Sequence, residues 1–150
     1  WVDHGSSYLP GEIVAAFLWA QLQRVGAITQ RRLEIWRRYH QRFAELEAAG
    51  KARRPVVPPH CVHNAHMYYL LVPTAGKRSR FIARMKREGI SCVFHYIPLH
   101  SSPMGIKVGR IASTMRRTDD LASRLVRLPL WLGLEEHQDA VIEEVIDALR

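Results

Sequence analysis

The chain has 150 residues, 47% of them hydrophobic, which is enough for one compact domain with a real core and too little for several. Twenty-two Lys and Arg against fourteen Asp and Glu give a net charge of +8, favouring phosphate groups, polyanions or an acidic partner surface. The strongest apolar run, IVAAFLWA at 13–20, is far too short to span a bilayer, and the two cysteines, Cys61 and Cys92, make no disulfide framework, so a soluble protein of the reducing cytoplasm is expected.

The chain opens on WVDHGSSYLPGE without an initiator methionine, and this predicts a piece of a longer protein. Pro10 and Glu12 suit a helix start, so a first helix is expected over about 10–25 with Gly26 beyond it. Ile13, Val14, Phe17, Leu18, Trp19 and Leu22 cover nearly its whole circumference, which predicts burial on most sides. A second helix is expected from Thr29 to Ala49. Leu33, Trp36, Tyr39 or His40, Phe43 and Leu46 recur at helical spacing, Arg31, Arg38, Arg42 and Glu45 lie opposite, and Gly50 is the stop. Three prolines make 51–64 extended or looped.

MYYLLV (67–72) reads as a buried strand, and 76–89 as a short basic helix with Phe81, Ile82 and Met85 inward and Gly89 at its end. A strand SCVFHY (91–96), a loop over 97–116, and a helix over 118–127 capped by Thr118 follow. LPLW (128–131) is expected as a third strand. A last helix over 135–149 buries Val141 or Ile142, Val145, Ile146 and Leu149. The order ααβαβαβα describes an α/β or α+β fold, a small sheet packed with helices and preceded by two long helices.

Three site chemistries compete. Cys61, His63 and His66, with His95 and His100 as further ligands, offer zinc-type donors. Their spacing lacks the paired knuckles of a metal site, so none is expected. The pairs Arg31-Arg32, Arg37-Arg38, Arg53-Arg54 and Arg116-Arg117 would suit nucleic acid, yet no recognised reader accompanies them and solvated helix faces are the ordinary explanation. The third is FHYIPLH (94–100). Pro98 pushes Ile97 toward extended geometry, so His95, Tyr96 and His100 cluster where a strand opens into a loop, a place where ligands commonly sit.

Four stretches, DHGSSYLPGEIVAAFLWAQL, CVHNAHMYYLL, VFHYIPLHSSPMG and LVRLPLWLGL, together resemble the C-terminal part of DegT-type nucleotide-sugar aminotransferases. The resemblance implies the small C-terminal domain of a fold type I pyridoxal-phosphate (PLP) aminotransferase. Residues 1–50 would be linking helices to a large PLP domain, and 51–150 the small α/β domain. It also implies a homodimer that transfers an amino group from glutamate to a 4-keto-6-deoxy sugar nucleotide, with no nucleic-acid or membrane partner. In that chemistry a lysine of the large domain holds the cofactor covalently, so no catalytic residue is expected in this chain.

By the same resemblance His95, Tyr96 and His100 form one wall of the substrate cleft, and Ser6, Ser7 and Tyr8 lie at the cofactor. Many members carry G-x-N-x-R near the start of the first helix. Here those positions read Gly5, Ser7 and Leu9, so serine hydroxyls replace the amide as donors to phosphate and the arginine is lost.

Overall fold

The computed structural model describes Gly5 and residues 8–150. Seven helices and three strands follow in the order α1 (Glu12–Leu22), α2 (Val25–Arg42), α3 (Ala44–Ala48), β1 (Tyr68–Leu71), α4 (Ala75–Arg87), β2 (Val93–Phe94), α5 (Pro103–Val108), α6 (Arg116–Arg124), β3 (Leu125–Leu128) and α7 (Gln138–Leu149). This is the expected class, a small sheet packed with helices.

The sheet is antiparallel in the order β1-β3-β2, with β3 in the middle. Tyr68 faces Leu128 and Leu70 faces Val126, and these four point into a core completed by Tyr39 and Phe43 of α2–α3, Phe81 and Met85 of α4, and Ile142 and Val145 of α7. Two surfaces meet across that core. Gln138, buried at the start of α7, donates to the Ile35 carbonyl at 2.7 Å, so its amide is not left unpaired. Outside, Arg31 pairs with Glu135 at 2.7 Å and Arg38 with Asp139 at 2.5 Å, while Arg42 reaches Asp139 and Glu143. Each such exposed pair contributes about 0–1 kcal/mol, so the apolar core carries most of the stability.

Local chemistry explains the element ends. Thr74 accepts from the Lys77 amide at 3.2 Å and starts α4, and Gly50 and Gly89 close α3 and α4 with φ of +66° and +74°.

Several boundaries depart from the expectations. The first helix ends at Leu22, and Gly26 lies inside α2, because the chain turns at Gln23–Arg24 instead. The second helix breaks at Phe43, whose ring is fully buried against Tyr39. Thr118 is not a cap: α6 starts at Arg116, and its last turn passes directly into β3 at Leu125. The third strand is therefore Leu125–Leu128, three residues earlier than expected, because register with β1 selects the alternation Leu125–Val126–Arg127–Leu128 over the apolar run that follows. The loop 97–116 contains α5.

No α1 residue is buried within this chain, against the expected burial; Ile13 is 86% and Trp19 66% exposed. The helix has apolar residues all round, and nothing among the described residues covers it. Each such side chain left in water forfeits about 1.5–3 kcal/mol, so the purified chain is expected to self-associate through α1. Sedimentation velocity should give a dimer or larger species in which Trp19 is shielded from a fluorescence quencher. A stable monomer with Trp19 accessible would refute this. Among the described residues no helix is long and apolar enough to cross a membrane.

Candidate functional site

The segment from β2 to α5 gathers the polar rings of the FHYIPLH motif. The strand stops after Phe94, four residues shorter than the six expected. Tyr96 then takes a positive φ of +34°, a conformation costing about 1–3 kcal/mol for a side chain of this size. A turn at Leu99–Ser101 leads to α5, which Ser102 caps by accepting from the Gly105 amide at 3.0 Å. Gly105 is required there, since a Cβ would lie 1.7 Å from the Leu99 carbonyl oxygen.

This backbone sets the three rings in different surroundings. His95 and Tyr96 meet edge to face at 5.1 Å. The His95 Nδ1 is buried with no hydrogen-bond partner among the described residues. Burial, with Arg127 and His66 nearby, lowers the His95 pKa from its ordinary value and favours the neutral ring. Tyr96 is 73% exposed and lies with Arg78, Phe94 and Ile97 in an open groove of about 380 Å³. His100 turns the other way. Its Nε2 is 2.8 Å from Asp119 Oδ1 on α6, and its ring lines a larger groove of about 610 Å³ with Leu99, Ile106, Arg110, Ile111 and Met115. Pro98 forms the ridge between the two grooves. The structure thus brings His95 and Tyr96 together and sets His100 in the neighbouring groove, linked to the Tyr96 groove through Asp119, which lines it.

Ser6 and Ser7 lie outside the described residues, and Tyr8 is 89% exposed. The rings proposed as metal donors are otherwise engaged: His63 packs on Trp36 at 4.7 Å, and His66 pairs with Asn64 at 3.2 Å. Among the described residues no three His, Cys, Asp or Glu side chains are placed to share a metal ion. Cys92 is buried and its thiol is pushed up to about 12 by desolvation, which leaves it unreactive. The basic pairs are partly used within the fold. Besides the α2–α7 contacts, Arg32 donates to the Ala65 and His66 carbonyls, and Arg54 to Glu47 and the His40 carbonyl.

Two features escaped the sequence reading. Asp119 lies on the helix expected over 118–127, and nothing in the linear order joins it to His100, nineteen residues away. Arg127 sits inside the LVRLPLWLGL motif, but only strand register shows that it stands between Tyr69 and Val93.

The sequence model of the DegT/DnrJ/EryC1/StrS aminotransferase family matches residues 3–150. Protein MJ1066 of Methanocaldococcus jannaschii is 28% identical over 99% of this chain and 38% of its own length. The UDP-4-amino-4-deoxy-L-arabinose–oxoglutarate aminotransferase of Shewanella sediminis is 24% identical over 97% of this chain and 40% of its own. The crystal structure of S. venezuelae DesV, solved with a ketimine intermediate, superposes with a TM-score of 0.80 at 25% identity, over 93% of this chain and 37% of DesV. The chain therefore spans about two fifths of the length of the curated relatives it matches. With the family's pattern running through essentially all of these residues on the matching fold, the chain belongs to the DegT/DnrJ/EryC1/StrS aminotransferase family.

Proposed function

We propose that these residues form the linking helices (1–50) and small C-terminal domain (51–150) of a PLP-dependent homodimeric aminotransferase of the cytoplasm. It transfers an amino group from glutamate to a dTDP-linked 4-keto-6-deoxy sugar, the reaction type of dTDP-4-amino-4,6-dideoxygalactose transaminase in enterobacterial common antigen biosynthesis. The observation that carries the reading is the family match over 3–150. The family is PLP-dependent, and one relative is named for a 4-amino nucleotide sugar and for oxoglutarate, the keto acid left when glutamate gives up its amino group.

The described residues do not by themselves make a PLP site. The chain has four lysines, and Lys51 Nζ is held on the Arg150 carbonyl at 2.9 Å. Lys77 and Lys86 are exposed on α4, and Lys107 is exposed on α5. None is buried in an apolar pocket, where desolvation would free the amine to form a Schiff base. No catalytic step is therefore routed through this chain, and its part in the reaction is to bind and orient. The groove beside His100 combines an apolar wall with one imidazole and the Arg110 side chain, a composition suited to a sugar ring. Asp119 holds the His100 ring in one orientation. The exposed α1 supplies the surface by which the domain joins the rest of the dimer.

The test uses the complete enzyme, with glutamate and dTDP-4-keto-6-deoxyglucose, followed by mass detection of the amino sugar. Absence of product with this and every other 4-keto nucleotide sugar would refute the reading. In that enzyme His100→Ala should lower kcat/KM for the sugar nucleotide about 10–100-fold, the worth of one hydrogen bond to a charged group, with bound PLP unchanged. Stoichiometric zinc lost with the same substitution would show instead that His100 is a ligand.

A further inference from the structure

The sheet has two faces, and only one is filled throughout. Tyr68, Leu70, Val126 and Leu128 point into the core. Strand alternation sends Tyr69, Arg127 and Val93 to the opposite face, and the pairings Tyr69 to Arg127 and Arg127 to Val93 set them in one row across all three strands. Among the described residues this face is covered at Leu71, which is buried, and open toward Val93, which is exposed, with Tyr69, Leu125 and Arg127 half-buried. His95 follows the end of β2, near enough for its imidazole to feel the charge of Arg127 and His66.

One unpaired cation stands there. Neighbouring arginines are neutralised: Arg124 by Asp120 at 2.5 Å and Arg54 by Glu47 at 2.8 Å. Arg127, on the central strand, has no such partner among the described residues. Holding its guanidinium half-desolvated without an anion is unfavourable. An oxyanion over the row would meet that need by accepting from the arginine fork.

We propose that the open face of the sheet is an anion-binding surface on which Arg127 is the principal donor, with His95 and Tyr69 beside it. The ligand chemistry is an oxyanion on a flat, partly apolar floor. On the aminotransferase reading, on which the choice of sources but not the site itself rests, that oxyanion belongs either to the diphosphate of the sugar nucleotide or to a carboxylate of the amino donor. The same anion would oppose the electrostatic effect of Arg127 on His95 and draw a proton onto the ring.

The 150-residue chain is titrated separately with inorganic pyrophosphate and with glutarate, by calorimetry and by NMR of the His95 imidazole Cε1–H. At least one anion should bind saturably and move the His95 resonance. Arg127→Gln should weaken that binding about ten-fold or more, and Arg127→Lys, which keeps the charge and loses the fork, should fall between. Binding of pyrophosphate alone assigns the face to the nucleotide diphosphate, and binding of glutarate alone assigns it to the amino donor. No saturable shift of His95 with either anion overturns the proposal. So does equal binding by wild type and Arg127→Lys together with Arg127→Gln, or, should Arg127→Gln not fold, by wild type and Arg127→Lys alone. Neither readout involves turnover, so a failure here is distinct from a failure of the aminotransferase reading.

Discussion

Tyr68→Ala is expected to destabilise the chain by about 3–5 kcal/mol, while Tyr68→Phe leaves it unchanged or stabilises it by about 1 kcal/mol. Tyr68 is fully buried on β1 and is the ring that the α2–α3 aromatics share, with centroids 5.4 Å from Trp36, 5.2 Å from Tyr39 and 6.0 Å from Phe43. Truncation to alanine removes the apolar transfer energy of the ring and leaves a cavity that rigid neighbours on two elements cannot close. Against a typical domain stability of about 5–15 kcal/mol, that is enough to unfold much of the population.

The hydroxyl behaves differently from the ring. Tyr68 Oη is buried with no hydrogen-bond partner among the described residues, so deleting it removes a desolvation cost and none of the contacts they make. Tyr39 supplies the control, since its Oη donates to the Pro129 carbonyl at 3.1 Å and Tyr39→Phe should cost about 1 kcal/mol. Urea midpoints of the four proteins decide the matter. A Tyr68→Phe loss as large as that of Tyr39→Phe would mean that the Tyr68 hydroxyl has a partner after all.

Mixed with pyridoxal phosphate, glutamate and a keto-sugar nucleotide, the purified chain should form no amino sugar above the rate of the free cofactor. Enzymic transamination gains many orders of magnitude from a positioned cofactor and a positioned proton carrier. Here all four lysines are exposed or held on a backbone carbonyl, and none faces the grooves around Tyr96 and His100. Borohydride reduction after incubation with the cofactor should accordingly give only scattered surface labelling. Turnover clearly above the free-cofactor rate, with one lysine labelled stoichiometrically, would overturn this expectation and assign that lysine a catalytic place.

Periodicity and composition were sufficient for the elements whose signals are local. The apolar spacing of Trp36, Tyr39, Phe43 and Leu46 follows the buried side of α2 and α3, and Phe81 with Met85 that of α4. Gly50 and Gly89 mark helix ends because a positive φ is a property of one residue. The same locality misled at Gly26 and Thr118, where a glycine and a hydroxyl of the right type stand inside helices whose starts were set by packing elsewhere. The four motifs carried the family because they are linked in order over nearly the whole chain, which no single residue pattern achieves.

Tertiary structure alone decided the rest. A run such as LVRLPLW is compatible with a strand in more than one frame, and only pairing with Tyr68–Leu71 places it at Leu125–Leu128, in the middle of the sheet. That choice exposes Arg127 on the open face beside Val93 and Tyr69. The sequence could name His95, Tyr96 and His100 as a cluster, but only the fold sets Tyr96 and His100 in adjoining grooves that share Pro98 and brings Asp119 of α6 to His100. The chain's residue types thus determined its class, its core and its family. The partners of each charged side chain depended on long-range pairing, because burial fixes which face is hidden while register fixes which residues meet.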